Sequence, residues 1–202
     1  MLQDSPPRLI LASASPRRSA LLRQIGVMHR VLPADIDEQR LPGESVRDCV
    51  LRLAVQKARH VHAQLPPAEA LPVLGADTTV VIDEEMLGKP GGREQGIAML
   101  QRLGGRTHHV LSAVAVVGGS GLHSALSASA VRMRAITASQ AAAYWDSGEP
   151  RDKAGGYAIQ GLGAVFIESL QGSYSGVMGL PLFETAQLLR AAGLPTLDAL
   201  LP

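Results

Sequence analysis

The chain holds a single cysteine, Cys49, which excludes an internal disulfide framework and any multi-cysteine metal centre. Aromatic residues amount to only 3% of the sequence, so a core has to rest on Leu, Val, Ile and Ala. No apolar run is long enough to span a bilayer. The stretch from Met1 to Arg8 is polar with two prolines and does not read as a secretory leader. An excess of one charge is also missing: 19 Lys plus Arg face 18 Asp plus Glu, a net +1. That balance argues against a protein that coats nucleic acid or an anionic membrane. A soluble cytoplasmic protein with neither as partner is the expectation. Lysine itself is scarce. Lys57, Lys89 and Lys153 are the only three, and each falls in a segment that stands out for another reason.

What is present is a chain of 202 residues, 46% hydrophobic and 18% charged. It is long enough for one large domain or two small lobes around a substantial core. Arg8 to Ala12 reads as a short buried strand. Ser15-Pro16 then opens a helix with Ser15 as N-cap, and Gly26 stops it. His29 to Ala34 reads as a second strand, followed by the acidic loop Asp35-Ile36-Asp37-Glu38. Ser45-Val46-Arg47-Asp48 has the form of a capping box and begins a longer helix. Gln64 to Pro72 is a proline-bearing loop. Val73 to Ile82 is strongly strand-like and is expected to break at Asp77-Thr78-Thr79. Arg93 to Leu103 is a helix closed by Gly104-Gly105. Thr107 to Val117 and Leu122 to Arg134 are strands joined by a glycine-rich hairpin. Thr137 to Ser147 is a helix, Gly148 to Gly163 a glycine-rich loop, and Ala164 to Leu170 a strand. Pro181 opens the last helix, which ends at Gly193. Alternating strands and helices make the class α/β with a mixed sheet.

Several residues fit a purely structural role poorly. Arg17 and Arg18 stand in the first turn of a helix, where cations oppose the helix dipole. With Ser13, Ser15 and the free amides of that turn, they suit an anion. Lys57 lies on the apolar stripe of its helix, where a lysine either snorkels or reaches an anion. Asp77 interrupts an apolar strand, a costly place for a carboxylate unless it is paired, hydrogen-bonded or metal-bound. Gly88-Lys89-Pro90 is a constrained turn presenting a lysine. The stretch from Lys153 to Gly161 brings glycines that let backbone approach a ligand, and Gln160 carries a donor and an acceptor suited to a base edge. Tyr144 and Trp145 read as packing residues, and the six histidines form no recognisable metal pattern. A Walker A sequence, a dinucleotide fingerprint, a nucleophile elbow and a zinc-protease motif are all absent. Cations for phosphates, carboxylates for a hard metal and an amide for a base suit metal-assisted attack of water on a nucleotide phosphate.

These segments together resemble a known family. The stretch from Leu11 to Arg18, Gly75-Ala76-Asp77-Thr78, Gly88-Lys89-Pro90 and the stretch from Lys153 to Gly161 look like the motifs of the Maf nucleoside triphosphate pyrophosphatases, in order, from about Leu9 to Leu189. The resemblance implies one Maf-like domain over residues 1–202. Its expected fold is a mixed, elongated sheet flanked by helices, with two lobes around a central cleft, similar to the Maf and ITPase-like proteins. It also implies a homodimer, a divalent cation (Mg²⁺ or Mn²⁺), and cleavage of a nucleoside triphosphate to monophosphate and pyrophosphate. Asp77 matches the family's general base. Ser13, Arg18, Glu38, Lys57 and Lys89 match polar positions lining its cleft. Asp77 and Glu38 are the candidates to hold the metal. Arg17, Thr78 and Gln160 match the selectivity positions of the subfamily acting on dTTP and UTP. The rivals are a pyrophosphatase for 7-methyl-GTP or modified pyrimidines, and a nucleotide-binding regulator of septum formation. One departure is Gly176, where the family usually has Asn.

Overall fold

A computed structural model of the protein describes residues 6–66, 69, 71–194 and 196. The first five residues, and Pro67, Ala68 and Ala70 of the expected 64–72 loop, lie outside the described residues. The elements in chain order are β1 (Leu9–Leu11), α1 (Pro16–Gln24), β2 (His29–Val31), α2 (Val46–Ala63), β3 (Val73–Ile82), β4 (Glu85–Leu87) and α3 (Arg93–Leu103). They continue with β5 (Thr107–Gly118), β6 (Gly121–Met133), α4 (Ala138–Asp146), β7 (Ile167–Gln171), α5 (Tyr174–Met178) and α6 (Leu182–Ala191). The strands form one seven-stranded sheet in the order β2-β1-β3-β5-β6-β7, with β4 paired to β3. β1 runs parallel to both β2 and β3, whereas β3–β4 and β6–β7 are antiparallel, so the sheet is mixed as expected.

The local signals in the sequence act as they should. Ser15, Ser45 and Thr137 each cap a helix through their hydroxyls, and Thr137 and Gln140 complete a capping box. Helix α3 has the expected bounds. Three expectations are corrected, and two short elements were not expected. β3 runs unbroken through Asp77-Thr78-Thr79, because ladder hydrogen bonds and flanking Val and Ile outweigh the polar triplet. The glycine-rich segment is not a plain loop but carries 3₁₀ turns at Glu149–Asp152, Ala154–Gly156 and Leu162–Phe166. The last of these takes the residues expected to begin β7, which starts only at Ile167. Strand β4 and helix α5 carry no clear signal, since each spans only 3 or 5 residues.

The described residues gather into two compact units. The first takes the chain up to Asp77, Ser112–Ser127 and the described part from Gly179 onward; the second takes Thr78–Leu111 and Ala128–Met178. The first unit is built on fully buried Leu9, Ile10, Leu11, Leu22 and Leu74 with Val50, Ala54 and Val61 of α2. The second packs Val80, Leu100, Leu103, Val131, Met133, Tyr144 and Phe166 into one cluster, in which the Tyr144 ring meets Phe166 edge to face. Aliphatic side chains dominate both, as the scarcity of aromatics requires.

The second unit also buries a histidine. His108 is 1% exposed, and its Nε2 lies 2.7 Å from the Tyr157 hydroxyl. Burial, with help from the neighbouring His109, pulls its pKa down to about 4. The unfolded chain has the ordinary value of about 6.5. Above that pH both states are neutral and nothing is lost. As pH falls from about 6.5 towards 4, the unfolded chain takes up a proton that the folded chain refuses, and stability drops, by roughly 2 kcal/mol at pH 5. Urea denaturation midpoints at pH 7 and pH 5 are therefore expected to fall more in the wild type than in His108→Gln. An equal fall in both would remove His108 as the cause.

Candidate active site

The parallel pairing of β1 with β3 sets the geometry of the first unit. Leu11 stands opposite Leu74, and the Ala12 amide donates to the Leu74 carbonyl at 2.8 Å. The two strands thus point their carboxyl ends the same way, the end of a parallel sheet where ligand sites form. Ser13 follows β1 there, and Asp77 comes three residues after Leu74. The turn from Ser13 to Ser15 leads straight into α1. Arg18 does not extend into water. Its Nη1 donates to Ser13 Oγ at 2.9 Å and its Nε to the Gly179 carbonyl at 2.8 Å. Burial lowers the pKa of Arg18, opposed by the charges of Asp77 and Glu38, and it remains a cation. Arg17 is half-buried on the same turn.

Gly75 explains how Lys57 and Asp77 meet. A Cβ at Gly75 would overlap the Ala54 carbonyl and lie 2.6 Å from the Ala58 amide, so only glycine lets α2 sit this close to β3. Side chains two apart on a strand share a face. Asp77 therefore faces α2 as Gly75 does, and Lys57 lies one turn along from Ala54. The Lys57 ammonium is buried and donates to Asp77 Oδ1 at 2.7 Å. It also pairs with Glu38 Oε1 at 2.7 Å. The side chain of Asp77 is 12% exposed and that of Glu38 is 60% exposed, so one lysine joins a buried carboxylate to one open to solvent. Three of the expected site residues thus form one cluster, and the bland reading of Lys57 as a snorkelling side chain is set aside.

The unbroken course of β3 also turns Thr78 to the face opposite Asp77. Thr78 belongs to the second unit, as do Lys89 and Gln160. Lys89 is exposed after β4 and makes no ion pair among the described residues. The Gly155 amide donates to the Gly88 carbonyl at 3.0 Å, so the turn bearing Lys89 and the segment bearing Gln160 are tied together. Gln160 is exposed. Lys153 donates to the Glu149 carbonyl and to Asp152 Oδ1, both at 2.6 Å, and so braces that segment. Two residues here were not legible as functional. The Tyr144 hydroxyl donates to Glu149 Oε1 at 2.6 Å, although Tyr144 reads as packing, and Glu149 sits unremarked in a Gly-Glu-Pro turn. Gly176 donates its amide to Ser173 Oγ at 2.9 Å.

Among the described residues no group of three or more His, Cys, Asp or Glu is placed to hold a metal ion, so they form no closed protein cage for one. Asp77 and Glu38 nevertheless converge on one ammonium, and one or two carboxylates completed by water and phosphate is the way Mg²⁺ is commonly held. The donor set fits a cation of that kind. A cavity of about 460 Å³ in the same unit is lined by Asp35, Ile36, Asp37, Gln56, Arg59 and His60, none of them an expected site residue.

Comparison with known sequences now bears on this arrangement. The family described as Maf-like protein matches residues 8–192. The chain belongs to the Maf-like family. Among curated relatives, a protein from Methylobacillus flagellatus named dTTP/UTP pyrophosphatase is 53% identical over 92% of this chain and 93% of its own. Relatives of the same name from Bordetella avium and Alkalilimnicola ehrlichii are 52% and 54% identical, over 95% and 94% of this chain and 98% and 95% of their own. Gly75 in this Maf-like chain is the residue on which the cluster hangs. Gly75→Ala is expected to push α2 off β3 and cost roughly 1–3 kcal/mol, the usual range for overpacking. Denaturation midpoints measure it, and an unchanged midpoint would show that the helix gives way freely.

Proposed function

We propose that this chain hydrolyses nucleoside triphosphates, dTTP and UTP by preference, to the monophosphate and pyrophosphate by attack of water at the α-phosphate. The observation that carries the reading is the Asp77–Lys57–Glu38 cluster beside the Ser13–Arg18 pair. The names of the relatives support the choice of substrate. In this reading Asp77 orients the attacking water and takes its proton. Lys57 has three donors, of which Asp77 and Glu38 use two, and the third goes to a phosphate oxygen. Arg18 and Lys89 bind phosphate oxygens, and Ser13 holds Arg18 in place. Asp77 and Glu38 hold a divalent cation, Mg²⁺ or Mn²⁺, which when bound neutralises charge on the phosphate chain. Arg17, Thr78 and Gln160 read the base. A homodimer acting in the cytoplasm belongs to the same proposal.

Uracil and thymine present a carbonyl–imide–carbonyl edge that one amide side chain matches with an acceptor and a donor. Cytosine puts an amino group where uracil has a carbonyl, and an unmatched polar group costs about 1–3 kcal/mol, or tenfold to more than a hundredfold in selectivity. Purified protein assayed with Mg²⁺ or Mn²⁺ is expected to release pyrophosphate from UTP and dTTP at least about tenfold faster in kcat/KM than from CTP or 7-methyl-GTP. Release of orthophosphate, or equal rates on UTP and CTP, would overturn the reading. Asp77→Asn should retain the fold while turnover falls about 10² to 10⁴, the range for a positioned acid or base. Near-normal turnover would take Asp77 out of the reaction.

A further inference from the structure

We propose that Tyr144 and Glu149 are positioning residues for Gln160, and that through it they set base selectivity. This inference rests on the reading of Gln160 given above. Gln160 lies in a segment with Gly155, Gly156, Gly161 and Gly163, a composition that by itself leaves the backbone loose. An amide selects a base only while its donor and acceptor stay aimed, within about 0.5 Å and 10–20° of the productive geometry.

The structure clamps the chain on both sides of Gln160. The Ala158 amide, two residues before it, donates to the Tyr144 hydroxyl oxygen at 3.0 Å. The Leu162 amide, two residues after it, donates to Glu149 Oε2 at 2.9 Å, and the Gly163 amide to Oε1 at 3.0 Å. The 2.6 Å bond from the Tyr144 hydroxyl to Glu149 Oε1 joins the two halves into one hydroxyl–carboxylate clasp. The glycines make the clasp possible: a Cβ at Gly161 would overlap the Glu149 carboxylate, and one at Gly163 would stand 2.5 Å from the Tyr144 hydroxyl. Burial disfavours the charge of Glu149, yet the hydrogen bonds from Tyr144, Gly163 and Leu162 prevail and hold it below the usual carboxylate range. An ionised acceptor makes each of these bonds stronger than a neutral one would. Neither residue is assigned to substrate contact. Their effect is on where the amide points.

The test measures kcat and KM for UTP, dTTP and CTP on the wild type, Tyr144→Phe, Glu149→Gln, Gln160→Ala, and Tyr144→Phe combined with Gln160→Ala. Tyr144→Phe keeps the ring that packs on Phe166 and removes only the hydroxyl. It is expected to lower the UTP:CTP ratio of kcat/KM by about 3- to 10-fold, carried by a higher KM for UTP, with Glu149→Gln acting in the same direction. In the Gln160→Ala background Tyr144→Phe should leave the ratio where Gln160→Ala alone puts it, the mark of two residues acting through one group. Three outcomes overturn the inference: an unchanged ratio in folded Tyr144→Phe, an equal loss on all three substrates, or effects on the ratio that multiply in the double variant. If Glu149→Gln does not fold, Tyr144→Phe decides. A wild type with no preference for UTP over CTP overturns the base reading of Gln160 and this inference with it. A preference that survives both clasp variants overturns this inference alone.

Discussion

A single buried ammonium organises the first unit. Lys57 is the point at which a helix, a strand and a loop meet, because its Nζ reaches Asp77 on β3 and Glu38 on the acidic loop. Its two bonds differ in kind. The pair with Asp77 is shielded from water, where charges act strongly on each other and where removing one partner typically costs about 3–5 kcal/mol. The pair with Glu38 opens to solvent, where such bridges contribute roughly 0–1 kcal/mol. Lys57 and Asp77 thus hold each other in place, while Glu38 can exchange partners at little cost. That asymmetry suits the proposed chemistry, in which Asp77 stays aimed while Glu38 turns towards the cation that the two would hold.

The cluster exists because of backbone proximity. The register of β1 against β3 places Ser13 and Asp77 at the same sheet end, and the missing side chain at Gly75 lets α2 lie against β3 so that Lys57 arrives over Asp77. Arg18 is drawn into the same environment by Ser13 and the Gly179 carbonyl. The glycine of the Gly75-Ala76-Asp77 motif is therefore a packing residue with a chemical consequence. In the second unit glycines do related work by another route, admitting the Glu149 carboxylate and the Tyr144 hydroxyl to the backbone on either side of Gln160.

Much was legible because it is local or compositional. Cap residues, glycine stops and apolar periodicity gave every helix except the short α5 nearly to the residue, since each depends on neighbours three or four positions away. The scarcity of lysine pointed to segments that the fold makes use of, although the role of Lys153 is bracing the chain at Glu149 and Asp152. Asp77 was conspicuous because a carboxylate in an apolar strand demands a partner. The expectation that the strand would break there misjudged which side yields: the strand continues and a partner comes to the carboxylate.

The sequence by itself determined the α/β alternation, the bounds of the longer helices, the family and the identity of the charged residues that need partners, because all of these are encoded in short-range patterns. Tertiary structure alone decided who the partners are. Lys57 and Asp77 are 20 residues apart, and Arg18 and Gly179 are 161 apart. The tie from Tyr144 and Glu149 to the backbone around Gln160 likewise depends on how a helix end and a glycine-rich turn pack against each other. No periodicity links such positions. They meet only when sheet register and helix packing close the chain on itself, and a hydroxyl that reads as part of a core aromatic becomes a donor only when a carboxylate is folded up to it.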